Sequence, residues 1–183
     1  TAGSGSLANS STAASVSGAS FLRMAVSATR MAVARTRGSA RSVVYVDSGS
    51  TDGSAARARD IGAKVIELDR LRPFSASRAR NEGFAALRDM GAFDCVQFVD
   101  GDCEIQTDWI ETGAKFLQEN QQFAAVCGKL RERDPDASIY NGICDVEWSS
   151  KAGEADACGG IAMYRVSALE AVAGPEARAR VKY

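Results

Sequence analysis

The 183-residue chain contains no histidine. That absence excludes Ser-His-Asp and Cys-His catalysis, histidine-ligated zinc and histidine general bases together. Any chemistry must run on carboxylates, arginines, backbone dipoles or a metal held by oxygen. No apolar run approaches the ~18 residues needed to span a bilayer. No two of the five cysteines, Cys95, Cys103, Cys127, Cys144 and Cys158, form a Cys-x-x-Cys pair, so no zinc knuckle is visible. An odd count without a secretory signal reads as reduced thiols in a cytosolic protein. A formal net charge of -1 argues against a general nucleic-acid binder. The Gly-x-x-x-x-Gly-Lys-Ser/Thr loop of P-loop enzymes is also missing.

What is present is the balance of a soluble globular protein. Apolar residues make up 45% and charged residues 25%, and the length corresponds to about one domain. Charge is uneven along the chain. Residues 1–46 hold Arg23, Arg30, Arg35, Arg37 and Arg41 and no acid, whereas the rest holds 17 of the 22 basic side chains and all 23 acids. Residues 1–20 are a Ser/Ala/Gly/Thr stretch too poor in apolar groups to offset its ordering entropy. They read as a poorly packed tail, or as an acid-free leader of the organellar type.

Beyond that tail, helices and short apolar strands alternate. Phe21, Met24, Ala25, Ala28, Met31 and Ala32 have helical spacing and predict an amphipathic helix over 21–35. Strands are predicted at 43–46, 64–67, 95–99, 123–127 and 161–164, each a short apolar run. Between them lie helices over 54–61, over 75–90 behind a Ser75 cap, and over 109–119 behind Thr107 or Asp108. Ser167 and Glu170 form a capping box for a last short helix closed by Gly174. Residues 131–157 are polar and carry no assignable pattern. The alternation runs over 21–126 and implies an α/β domain, a mostly parallel sheet with helices on both faces; residues 175–183 are expected to form a tail.

In such sheets ligands bind outside the carboxyl ends of the strands. Two acidic clusters stand there. Asp47-Ser48-Gly49-Ser50-Thr51-Asp52-Gly53 follows the first of the predicted strands, and Asp100-Gly101-Asp102 follows the third. If the two strands lie close, the clusters converge on one face. In an extended segment Asp100 and Asp102 point to the same side. Paired carboxylates without histidine describe a hard-cation site for magnesium or manganese. Such a cation completes its shell with water and phosphate oxygens, which suggests a nucleotide diphosphate as ligand. Each cluster taken alone also reads as an ordinary Asp/Gly turn. Arg78, Arg80 and Asn81 lie in the first turns of the helix from Ser75, where an anion is favoured; a solvated basic face is the other reading. Trp148 suits stacking on a sugar or base, or core packing.

These residues resemble a family. Val44-Tyr45-Val46-Asp47-Ser48-Gly49-Ser50-Thr51-Asp52-Gly53-Ser54 is similar to the nucleotide-binding strand and loop of family 2 glycosyltransferases. Ala79-Arg80-Asn81-Glu82-Gly83 resembles their Ala-Arg-Asn-x-Gly helix, and Phe98-Val99-Asp100-Gly101-Asp102 their Asp-x-Asp strand end. Cys158-Gly159-Gly160 with Met163 and Arg165 resembles their later Gly-Gly segment. The resemblance spans residues 21–174 and implies a GT-A fold and inverting sugar transfer from a nucleotide-diphosphate sugar, a UDP-sugar first among them. The acceptor would be a saccharide or a lipid-linked saccharide.

Carried over by position, Asp47, Ser48 and Gly49 would border the nucleobase, with Arg80 and Asn81 beside them. Asp100 would meet the ribose, and Asp102 with Asp100 would hold the divalent manganese or magnesium. Gly159 and Gly160 would line the donor and acceptor cleft. The resemblance also implies polysaccharide or cell-wall assembly; with no membrane-spanning run, a cytoplasmic protein with at most peripheral contact with the inner face of a membrane is expected. Ser48 stands where many members have a second aspartate. The family's opening strand and its catalytic-base region have no counterpart, so the fold is expected to be incomplete at both termini. Glu176 is the single acid after the last helix and is not assigned as the base; the catalytic residue is left open. The alternatives are a catalytically inactive nucleotide-sugar-binding remnant and a metal-dependent nucleotidyltransferase.

Overall fold

The computed structural model describes residues 30–35, 41–148, 153 and 161–172. Strands β1 (Arg30–Arg35), β2 (Arg41–Asp47), β3 (Lys64–Glu67), β4 (Cys95–Asp100), β5 (Ala125–Val126) and β6 (Ala162–Arg165) form one sheet in the order β3-β2-β1-β4-β6-β5. Helices α1 (Ser54–Asp60), α2 (Ala76–Arg88), α3 (Trp109–Glu119), α4 (Ile139–Trp148) and α5 (Val166–Val172) complete the described elements. The chain divides into two compact units. One comprises residues 21–128 and 157–183, the other 1–20 and 129–156.

In the first unit the α/β class is as the sequence predicts. Strands β2, β3, β4 and β5 share one direction, while β1 and β6 run against them. The shared direction follows from the connections, because α1, α2 and α3 each bridge successive strands and a helical crossover returns the chain the same way round. β1 precedes that alternation and β6 follows the polar stretch, so neither is bound by it. As a result β2–β3 is the one parallel neighbouring pair among the described strands.

β1 corrects the helix predicted over 21–35. Residues 30–35 are a strand, and 21–29 lie outside the described residues. Its backbone pairs with β2 on one side, Arg30 opposite Val46 through Arg35 opposite Arg41. On the other side it pairs with β4, Arg30 opposite Asp100 through Arg35 opposite Cys95. Without β1, facing rows of N–H and C=O groups on two central strands would go unpaired. That demand outweighs the weak helical periodicity of an alanine-rich segment.

The remaining elements follow from local chemistry. Alternation along β2 puts Val44 and Val46 into a core with Ala79, Ala86 and Leu87 of α2, Val96 and Phe98 of β4 and Leu169 of α5. Tyr45 faces the other way, onto Ala58 of α1. On β4, Cys95 turns toward Ile110 and Leu117 of α3 and Met163 of β6. Tyr45 and Val99 oppose the same β1 residue, Met31, so α1 and α3 cover one face and α2 and α5 the other. Ser75 caps α2, its Oγ accepting from the Arg78 N–H at 3.1 Å. α1 ends in paired hydrogen bonds, Gly62 N–H to the Arg59 carbonyl and Ala63 N–H to the Ala58 carbonyl. α5 begins at Val166, so Ser167 lies inside the helix rather than capping it. β5 is two residues long because only Ala125 and Val126 pair with β6.

In the second unit, residues 139–148 form α4, where the sequence shows no assignable pattern. Ser138 opens it, its Oγ accepting from the Asn141 N–H and its carbonyl from the Gly142 N–H. Arg131 grips Asp145 with two hydrogen bonds of 2.7 and 2.8 Å, and the Glu132 N–H adds a third. α4 buries no residue, and Ile139, Tyr140 and Val146 are exposed.

Candidate functional site

The register of β1 brings the two acidic clusters together. Arg30 opposes both Val46 and Asp100, so Asp47 and Asp100 end neighbouring tracks at nearly the same level. One strand separates them, which sets their backbones about 10 Å apart. They meet at one edge of the sheet rather than on one face. Asp100 continues the row of Val96 and Phe98 toward α2, whereas Asp47 continues that of Tyr45.

Asp47 is buried, 3% exposed. Its Oδ2 accepts the N–H groups of Gly49 and Ser50, both at 2.9 Å. This carboxylate therefore folds the loop that follows the strand. Gly49 has φ 109°, a left-handed conformation that favours glycine. Across it lies the Arg70 side chain, whose Nε is 3.1 Å from where a Cβ on Gly49 would sit. Ser48 and Asn81 are half-buried along the same edge and helix. Asp52 closes the loop: its Oδ1 accepts the N–H and the hydroxyl of Ser54 at the start of α1. The Ser54 hydroxyl, and then its N–H, hold the Asp52 carboxyl below the usual carboxylate range.

Asp100 meets Arg80. The Arg80 Nη2 donates to Asp100 Oδ1 at 2.9 Å, with the arginine side chain 5% exposed and the aspartate 24%. Arg80 reaches it from α2, which sits low on the sheet because residue 83 is glycine. A Cβ there would stand 2.9 Å from Val46 Cγ2. Arg78, which the sequence offers as an anion contact, is committed elsewhere. Its guanidinium donates to Glu82 and to the carbonyls of Asp69 and Arg72, fastening the loop before α2.

Asp102 is exposed on a turn in which the Cys103 N–H donates to the Asp100 carbonyl at 3.0 Å. The chain is thus turning rather than extended at Asp100-Gly101-Asp102, and the two carboxylates do not occupy alternate positions of one strand. Cys103 Sγ lies 3.5 Å from Asp102 Oδ1. Among the described residues no three His, Cys, Asp or Glu side chains gather to hold a metal. Asp102 nevertheless offers an open oxygen ligand of the kind magnesium or manganese takes when substrate phosphate supplies much of the shell. Gly159 and Gly160, with Glu176, lie outside the described residues.

Two structural pairs escape a reading by apolar runs. Gln97, in the middle of β4, is fully buried and accepts from Trp109 Nε1 at 2.7 Å. Arg165 of β6 donates to the carbonyls of Phe123, Leu117 and Asn120, closing the carboxyl end of α3. Arg70 also escapes it. Only the loop geometry places that cation beside Gly49; an isolated arginine in a polar connection carries no signal of its own. A cleft of about 360 Å³ lined by Phe84, Leu87, Phe93, Val96 and Val166 lies at the amino end of β4, away from the acidic edge.

The family model described as Glycosyl transferase family 2 matches residues 31–173. No curated protein and no solved structure matches the chain. Among the described residues no helix is long and apolar enough to cross a membrane.

Proposed function

Since the chain belongs to glycosyl transferase family 2, we propose that it binds a nucleotide-diphosphate sugar across the carboxyl ends of β2 and β4 and passes the sugar to an acceptor hydroxyl. The observation that supports this reading best is the level meeting of Asp47 and Asp100 at one sheet edge, with Asp102 on the turn that follows β4, where open α/β sheets take their ligands. In this reading the Asp47–Ser50 loop borders the base, with Asn81 nearby, and Asp100 takes the ribose. Asp102 holds the cation, together with Asp100. A bound magnesium or manganese ion would neutralise charge on the departing diphosphate.

The transfer balances without redox chemistry. The acceptor oxygen forms a bond to the anomeric carbon as the carbon–oxygen bond to the diphosphate breaks. The electron pair leaves with the nucleoside diphosphate, and the acceptor proton passes to a carboxylate base. The chain's own task at this edge is to orient the donor and fix its charged groups. UDP-sugars are the first donors to test, with saccharides and lipid-linked saccharides as acceptors.

Calorimetric titration of UDP and UDP-sugars, with and without manganese, tests the donor reading. Metal-dependent binding that is lost in Asp102→Ala supports it. Absence of metal-dependent binding to any common nucleotide sugar overturns it. Turnover abolished by the same substitution separates an enzyme from an inactive binding domain. Pyrophosphate release from a nucleoside triphosphate would favour a nucleotidyltransferase instead.

A further inference from the structure

We propose that Arg80 is a positioning residue of the donor site, acting on the ligand through Asp100 rather than by touching the nucleotide itself. The inference rests on the donor reading above and adds a specific division of labour to it. Arg80 is the buried partner of the pair and Asp100 the more open one, at 5% and 24% side-chain exposure. An incoming ligand therefore meets the carboxylate first. The guanidinium would have to leave its buried seat, and its 2.9 Å bond to Asp100, to reach a ligand.

The seat itself is fixed from several directions. Ser75 caps the start of α2. Arg78 ties the same turn to the carbonyls of the preceding loop and to Glu82. Gly83 lets the helix close on Val46 of β2. On the other side, the Cys103 N–H holds the Asp100 carbonyl in its turn. A permanently charged, planar guanidinium between two anchored backbones sets both the charge and the direction of the carboxylate it grips. α2 thus transmits the geometry of β2 to the acid at the end of β4.

The test is a double-substitution cycle on the full chain, read as UDP affinity with manganese by calorimetry and as thermal melting in parallel. Arg80→Met is expected to weaken binding roughly tenfold to hundredfold. Arg80→Lys, which keeps the charge, is expected to fall between Arg80→Met and the parent. In an Asp100→Asn background Arg80→Met is expected to leave affinity unchanged, even where it lowers the melting temperature. A full additional loss in that background would mean direct contact with the ligand and overturn the proposal. Unchanged affinity with a lowered melting temperature in Arg80→Met alone would show a purely structural role and overturn it as well. Should Arg80→Met fail to fold, the cycle of Arg80→Lys with Asp100→Asn decides by the same criteria. A parent chain that binds no nucleotide with manganese overturns the donor reading, a failure distinct from these.

Discussion

Asp102 and Arg70 carry the clearest consequences for single side chains. Asp102 is exposed and makes its one described contact with a thiol, so Asp102→Asn is expected to leave the melting temperature within about 1 °C, since exposed substitutions away from special features change stability little. The same substitution is expected to cost metal-dependent nucleotide binding tenfold or more, by rough analogy with losing one charged ligand contact. Calorimetry beside a thermal melt checks both halves. Arg70 lies over Gly49 at the same edge. Arg70→Ala is expected to weaken nucleotide binding several-fold, with the parent's advantage shrinking as salt is raised from about 50 to 500 mM, because an exposed cation acts through a screened field. In the second unit Asp145 is drawn down to about 2 by the Arg131 guanidinium, then by the Glu132 N–H. A lowered native pKa means that the carboxylate stabilises the fold above the ordinary aspartate range near about 4, and that this contribution fades as pH falls toward 2. Carboxyl-carbon NMR should show Asp145 titrating near the lower value, and Arg131→Met should move it back up.

At the level of elements, α2 depends on an absent side chain. Gly83→Ala gains up to ~1 kcal/mol of helix propensity but drives a methyl into Val46, and overpacking of this kind costs ~1–3 kcal/mol. Net destabilisation is expected in urea unfolding, and it should shrink when Val46→Ala makes room. Arg165→Met should lower stability by ~1–3 kcal/mol, since it strips a charged donor from three carbonyls at the end of α3. These elements also show what could be read beforehand. The helix at 109–119, the strand at 64–67 and the two acid-ended strands were legible because their apolar runs and stop residues are local. The motif order was legible for the same reason. β1 was not, since a strand of alternating Ala and larger residues earns its state only from two neighbours far along the chain. Arg80 was legible as a motif residue but not as the partner of Asp100, because a helix-to-strand contact leaves no mark in spacing. Gln97 was hidden inside an apolar run by a partner twelve residues on.

For the whole molecule the central place of β1 matters beyond the site. β2 and β3 lie to one side of it and β4, β6 and β5 to the other. β1 reaches β2 across a handful of residues, whereas Arg30 must find Asp100 across about half of the first unit. Closing the longer loop costs more entropy, and contacts distant in sequence slow folding. Refolding should therefore join β1 to β2 early and to β4 late. The acid at the end of β4 comes level with the one at the end of β2 only once that later pairing has formed. In stopped-flow refolding, a fluorescent nucleotide with manganese should be captured after the earliest gain of backbone structure, not along with it.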